Sequence, residues 1–439
     1  MTSRTHSTDH LPLARALADR LRADGAPEHI ASLFLRVPRH EFLPDVVWGE
    51  DRTRYDRAED PAAWLRAAYT DQALTTQRDG GREGGMGLPT SSSSAPTIMA
   101  RMLAAARIEP AHSVLEIGTG TGFNAALLCE LVGDERVATM EVDPAVSASA
   151  RSALHAAGYA PEAVHADAEH ARLSAAPAFH RVVATCQVAD VPAGWLAQLH
   201  PRGLLVTPWA PTPGAPSGAL AVLEKRGGGL PAEGRFEGSL AFMWARGQSR
   251  PGGRIPDADA VPDRTTRAEG DPRYLLDGEG GLLLALLVPD WAHGMGREPG
   301  ASDLFMWVVS TRCGAWARLH PDGCVEQGGG TRRLVDEFEE ALTRWREQGE
   351  PGVAEFGLTV DDESGSRSVW LHEPEAVLWT AHRPGRPDRP GPPVHPDRSD
   401  HPGPLVHPDH PDQPDRSGRQ VHPDHPGHPD RSDRSGEPR

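Results

Sequence analysis

One lysine, Lys225, stands among the 45 Lys and Arg residues, and aromatics make up only 5% of the 439-residue chain. With abundant Ala, Gly and Pro, the arginine excess reads as the codon bias of a GC-rich genome and says nothing about function. A basic surplus is missing too. The formal charge is -17, which counts against a nucleic-acid partner, because phosphate-driven binding needs clustered Lys and Arg. The four cysteines, Cys129, Cys186, Cys313 and Cys324, have neither metal-ligand spacing nor a disulfide framework, so they read as reduced, mostly buried residues, and no metal site is expected. No apolar run approaches the length that spans a bilayer, and the opening MTSRTHSTDHLPLARALADRL lacks the apolar core of a signal peptide. These absences predict a cytoplasmic protein with no membrane contact.

What is present divides into regions. The length suggests two or three domains, while 38% hydrophobic content with 42 prolines and 46 glycines points to a part of the chain without a packed core. Leu11 to Asp45 has helical apolar spacing in LARALADRL and IASLFLRV. A charged segment, then the glycine-rich RDGGREGGMGLPT and the serine tract Ser91 to Ser94, read as a mobile loop ahead of a helix that opens after Pro96. Beyond it strands alternate with helices: SVLEI, FNAALLCELV, RVATMEVD, PAVSASARSALHAAG, AVHADA, HRVVATCQV, VPAGWLAQL and GLLVTPWA. That order implies an α/β domain with a mostly parallel sheet covered on both faces, over residues 1–247. Residues 248–270 form a polar linker. Residues 271–381, with GLLLALLVPDW, SDLFMWVVST and GAWARLH as strands and RRLVDEFEEALTRWREQG as a helix, read as a small α+β domain. Residues 382–439 repeat HPD, HPG and DRS units with almost no apolar residue, the composition of a disordered tail.

The sharpest motif is Glu116-Ile-Gly118-Thr119-Gly120-Thr-Gly122, set between a strand and a helix. A dinucleotide fingerprint would need glycine where Phe123 stands. Glycines here let the backbone approach a ligand closely without a pyrophosphate at the helix start. Glu141 ends the next strand, where a carboxylate can accept hydrogen bonds from two ribose hydroxyls, and Asp167 follows the third strand at the position to meet an adenine amino group.

The E-x-G-x-G-x-G spacing resembles the first motif of class I (Rossmann-like) S-adenosylmethionine-dependent methyltransferases. With it, VPRHEFLPD (Val37 to Asp45), AYTDQAL (Ala68 to Leu74) and SAPTIMARML (Ser94 to Leu103) occur in the order that resembles the protein-L-isoaspartate O-methyltransferase family, over Leu11 to Gly247. The resemblance implies S-adenosylmethionine as cofactor, held by Glu116, Gly118, Thr119, Gly120, Gly122, Glu141, Asp167 and Ala168. It also implies a catalytic serine two residues before a proline, which orients the acceptor carboxylate. Ser94 matches that position, with Ser93 as the alternative register. Asp167-Ala168 stands where the family has Asp-Gly, Phe179-His180 where it often has Tyr-Asp, and the insert DGGREGGMGLPT replaces a short loop.

The C-terminal extension and the serine tract together resemble a subgroup associated with ribosomally made peptides, in systems with an ATP-grasp ligase (graspetide type) or a lanthionine synthetase, the ATP-grasp association being favoured. That resemblance implies carboxyl methylation of an aspartate in a cyclised peptide. Two alternatives stand beside it: an isoaspartyl repair enzyme carrying an unrelated appendage, and a non-catalytic binding protein on the same fold. Asp71, in the TDQ turn, either shapes a lid or serves as a turn residue. A chain without apolar residues contributes nothing to a core, so removing residues from His382 onward is expected to leave the melting temperature and cofactor affinity unaltered, as scanning calorimetry and ligand titration would show.

Overall fold

The structure, a computed structural model, describes residues 10–173, 178–213, 215, 217–227, 229–249, 260–268, 271–272, 280–297 and 304–383. The lead-in is helical. In α1 (His10–Ala23) the residues Ala14, Leu17, Ala18 and Leu21 form one buried stripe, and the single-turn helices α2 (Glu28–Ala31) and α3 (Leu33–Arg36) add Ile30, Leu33 and Phe34 to the same core.

The charged segment and the serine tract depart from the loop expected of them. They build a four-stranded antiparallel sheet from β1 (Val46–Trp48), β2 (Arg54–Asp56) and, after α4 (Pro61–Ala68), β3 (Leu74–Arg78) and β4 (Pro89–Ser93), in the order β2-β1-β3-β4. The glycine-rich connection between β3 and β4 is closed by Asp79, whose carboxylate accepts from the backbone of Gly87 (2.6 Å) and Leu88 (3.1 Å). The Thr90 hydroxyl accepts from Gly80 and donates to Gln77. Short polar side chains that satisfy a turn locally make such a stretch look like linker in composition.

Helix α5 (Pro96–Ala105) follows with proline in its first turn. Asp71 reaches it from the preceding turn: one carboxylate oxygen accepts from the Thr97 N–H (2.9 Å) and the other from the Thr97 hydroxyl (2.7 Å). Asp71 is thus a helix cap.

The large sheet begins with β5 (Val114–Ile117), α6 (Phe123–Val132), β6 (Val137–Glu141), α7 (Pro144–Ala157), β7 (Glu162–His165), β8 (Phe179–Ala184), α8 (Ala193–Gln198) and β9 (Leu199–Trp209), whose strands pair in parallel as β7-β6-β5-β8-β9. Alternate residues face opposite cores. Val114, Leu204 and Val206 pack with the lead-in and α6, while Leu115, Leu205 and Ala184 pack on the other face.

The sheet then continues antiparallel through β10 (Gly218–Lys225) and β11 (Ala232–Leu240). The chain leaves it for β12 (Arg264–Arg267), α9 (Gly280–Leu287), β13 (Trp291–Arg297), β14 (Leu304–Ser310), β15 (Trp316–Leu319), β16 (Cys324–Gly328) and α10 (Leu334–Glu347). These strands form a separate antiparallel sheet, β12-β16-β15-β14-β13, packed on α9 and α10. The chain returns as β17 (Phe356–Asp361), β18 (Ser366–Leu371) and β19 (Val377–His382), and β17 pairs with β11 to complete a ten-stranded sheet.

Three expectations are corrected. Within residues 1–247 four of the large sheet's six strand pairings are parallel, while the short connections after β9, β10, β17 and β18 join antiparallel neighbours and make the ten-stranded sheet as a whole about half parallel. GLLLALL is helix, not strand. Leu282, Leu283 and Leu286 of α9 pack on the large sheet and Leu284 and Val288 on the small one, so the helix is apolar all round and shows no period. Residues 271–381 therefore do not stand alone as a domain: α9 belongs to two cores and β17 to β19 belong to the large sheet. Finally, His382 pairs with Ser366, and Arg383 is held by Asp190 at 2.9 Å, so the tolerated cut falls after Arg383. The rest of the proposed tail lies outside the described residues, as does the proposed linker over 250–259 and 269–270. Among the described residues no helix is long and apolar enough to cross a membrane, and no His, Cys, Asp and Glu cluster has the arrangement to hold a metal ion.

Replacing Asp71 by Ala removes the cap of α5, and chemical denaturation should show a loss of about 1–2 kcal/mol with cofactor affinity unchanged.

Candidate active site

The chain runs from β5 to β6 on one side and onward to β8 on the other, and at this switch point the strand ends leave a crevice. It is an open cleft with ≈ 1050 Å3 of space, its solvent-facing mouth included, walled by the glycine loop, the ends of β6 and β8, Ala166 to Glu169, the serine strand and residues 242–246. That is room for a nucleoside-sized ligand.

Positive φ angles at Gly118 (89°) and Gly122 (86°) turn the loop, and a Cβ at Gly118 would lie 2.7 Å from the Thr185 hydroxyl. The N–H groups of Gly118 and Thr119 both donate to the Met140 carbonyl (2.8 and 3.2 Å), which pins the loop to β6. Glu141 lines the cleft at the end of β6. Its carboxylate accepts from the N–H of Gly120 (2.9 Å) and of Asp143 (3.0 Å), leaving lone pairs for a ligand's hydroxyls. Asp167 and Ala168 line the same wall. Asp167 accepts from the Glu169 N–H (3.0 Å), and the Ala168 carbonyl is held by the Trp195 indole (2.9 Å).

Glu116 is placed otherwise than expected. It is fully buried beneath the loop and does not line the cleft. One carboxylate oxygen accepts from the Asn124 amide (2.7 Å) and the other from the Thr139 hydroxyl (2.6 Å), and Thr119 bonds Thr139 in turn (2.7 Å). Burial pushes its carboxyl up to about 7, against the two hydrogen bonds that favour the ion. Its part is to position the loop and Asn124, a different role from touching a ligand. The Cys186 thiol, also on the cleft wall, is raised to about 12 by burial and by the nearby carboxylates, led by Glu169, so it is no nucleophile at neutral pH.

Across the cleft the serine strand is fixed by Arg39, which the sequence reading quotes only within VPRHEFLPD. This fully buried guanidinium donates to the carbonyls of Ala68, Thr70, Gln72, Ser93 and Ser94 and to the Ser93 hydroxyl, all at 3.1–3.2 Å. Burial lowers it to about 10, still charged at neutral pH. Ser93 and Ser94 both line the cleft but differ: the Ser93 hydroxyl oxygen accepts from Arg39 and the residue is only 3% exposed, while Ser94 is more open and no hydrogen bond among the described residues engages its hydroxyl.

The third wall has no sequence signal. After β11 the chain bends across the mouth, and Gln187 holds it through the N–H of Phe242 (3.1 Å), the carbonyl of Met243 (2.8 Å) and the N–H of Ala245 (2.8 Å). Asp143 ties two covers together, accepting from Arg246 (3.0 Å) and from Gln77 of β3 (3.2 Å).

The crevice at the switch point thus has glycine backbone on its floor, the Glu141 carboxylate on one side and the Ser94 hydroxyl on the other, with room for a nucleoside-sized ligand. Residues 13–231 match the family model described as protein-L-isoaspartate(D-aspartate) O-methyltransferase. Among curated relatives, protein-L-isoaspartate O-methyltransferase of Methanosarcina mazei is 31% identical over 45% of this chain and 70% of its own. That of Methanopyrus kandleri is 32% identical over 44% and 74%. A solved structure named protein-L-isoaspartate O-methyltransferase aligns over 80% of this chain and 97% of its own at 21% identity, with a TM-score of 0.46. The chain belongs to the protein-L-isoaspartate(D-aspartate) O-methyltransferase family. It is an S-adenosylmethionine-dependent carboxyl O-methyltransferase.

The raised carboxyl of Glu116 has a signed effect on stability. The folded chain keeps that proton up to pH 7 while the unfolded chain releases it near 4.5, so stability falls as pH rises through this window, and the penalty is complete above it. Glu116→Gln is expected to be stabilising at pH 8, by roughly 3 kcal/mol at most, and neutral at pH 4. Denaturation midpoints at the two pH values test it.

Proposed function

We propose that the acceptor is the free carboxylate of an isoaspartyl or aspartyl residue in a peptide or protein, and that Ser94 orients it. The observation that carries this reading is the Ser94 hydroxyl on the cleft wall, engaged by no described residue, beside a Ser93 that is buried against Arg39. S-adenosylmethionine, when bound, supplies an electrophilic methyl group on a sulfonium. Glu141 is assigned to the ribose and Asp167 with Ala168 to the adenine side. Gly118, Thr119 and Gly120 form the backbone cradle, while Gly122, which does not line the cleft, turns the chain into α6 with its positive φ.

A carboxylate with a reference pKa of about 3.9 is already ionised at neutral pH, so attack on the methyl group requires no general base. Alignment is what remains for the protein to provide, and it is worth roughly 7–11 kcal/mol when two reactants are held in line. Arg39 fixes the strand that carries Ser94, and the segment 242–246 held by Gln187 covers the mouth. The names of the relatives support isoaspartyl residues as acceptors, and with them repair.

A second reading, methylation of a ribosomally made, cyclised peptide matured by an ATP-grasp ligase, is favoured by one feature: the small sheet and α10 lie outside the span matched by the family model. Remote contacts there would spend binding energy on positioning one carboxylate.

Mass spectrometry of isoaspartyl peptides incubated with enzyme and cofactor should show the gain of one methyl group, or loss of water after succinimide closure. Ser94→Ala should lower kcat/KM by about tenfold or more with S-adenosylhomocysteine affinity held, the pattern of a group that acts on the acceptor. Methylation of the cyclised peptide encoded beside the gene, with none on generic isoaspartyl peptides, would replace repair by the biosynthetic reading.

A further inference from the structure

Asn124, in the first turn of α6, lines the cleft yet is only 7% exposed, and its two amide atoms have opposite fates. The nitrogen donates to Glu116 below the loop at 2.7 Å, while the oxygen is buried and meets no donor in the protein. A buried acceptor left without a donor is costly, so its persistence beside an open cleft points to a ligand donor.

The orientation of the amide follows from chemistry. Above pH 7, where Glu116 is ionised, it accepts from Thr139 on its other oxygen and has only acceptors to offer, so it meets the nitrogen of Asn124 and not its oxygen. The oxygen is therefore turned away from Glu116. Resting on the cofactor assignment above, we propose that Asn124 Oδ1 is the acceptor for the ammonium group of the cofactor's amino-acid moiety, with Glu116 as the residue that sets the amide.

An ammonium offers three donors, which makes it the natural partner for an orphaned carbonyl oxygen in a site that also carries the positive sulfonium. A neutral amide suits this place better than a second carboxylate would, because Glu116 already sits within hydrogen-bond distance of Asn124.

Calorimetric titration at pH 8 tests this with three probes: S-adenosylhomocysteine, its deaminated analogue with the carboxylate kept, and 5′-methylthioadenosine, which lacks the amino-acid moiety. The wild-type chain is expected to bind S-adenosylhomocysteine at least tenfold more tightly than the deaminated analogue. In Asn124→Leu that preference should collapse to less than threefold, while 5′-methylthioadenosine binds within twofold of wild type and so shows the cleft intact. A preference unchanged in Asn124→Leu would overturn the proposal, the ammonium then being held elsewhere. A wild-type chain indifferent to the ammonium would overturn it also, and without relying on any variant's folding. Failure of the wild-type chain to bind S-adenosylhomocysteine at all would instead strike the cofactor assignment on which the proposal stands.

Discussion

The catalytic face of this protein depends on one buried cation. Arg39 is charged at neutral pH and lies where water does not reach, and no carboxylate is among its hydrogen-bond partners. Its charge is balanced by five carbonyl dipoles and by the field of Asp71, which favours the charged form from nearby. The carbonyls come from the end of α4, from the turn after it and from the end of β4, so one planar fork holds three backbone segments in register. A lysine, with three donors on a single nitrogen, could not reproduce that fork. The serine wall of the cleft is therefore set by the lead-in rather than by the large sheet.

Glu116 shows the opposite arrangement, an acidic group pushed into the core at a cost. Its carboxylate serves the site through Asn124 and Thr139, and the penalty for ionising it falls on the whole fold. Buried polar groups that weaken a fold while fixing a functional amide are a familiar trade in active sites.

The large sheet was legible because apolar strands alternate with helices of clear period, and α6 runs over the same residues, Phe123 to Val132, as its hydrophobic run. The glycine loop and Glu141 stood out by spacing and Ser94 by resemblance alone, and Gly118, Gly120, Glu141, Asp167 and Ser94 all line the cleft. Glu116 was legible as a member of the motif but not as a residue beneath it, since spacing says nothing about which way a side chain points. Arg39, Asn124 and Gln187 escaped because each works through partners 8 to 58 residues away, from Asn124 to Glu116 and from Gln187 to Ala245, and a single sequence does not show such pairs. Helix α9 escaped for another reason. A segment buried on every side has no polar face to betray its period, and only its Leu and Ala content with no β-branched residue hinted at helix.

That same helix bears on how such a protein can change. Because α9 lies between two sheets and lends leucines to both, the region beyond the family match is interleaved with the matched core instead of strung after it, and β17 to β19 close the weave by adding strands to the large sheet. Such a region cannot be excised or exchanged as a cassette. Change that leaves the fold intact is confined to its outer surfaces, with the leucines of α9 kept as the seam.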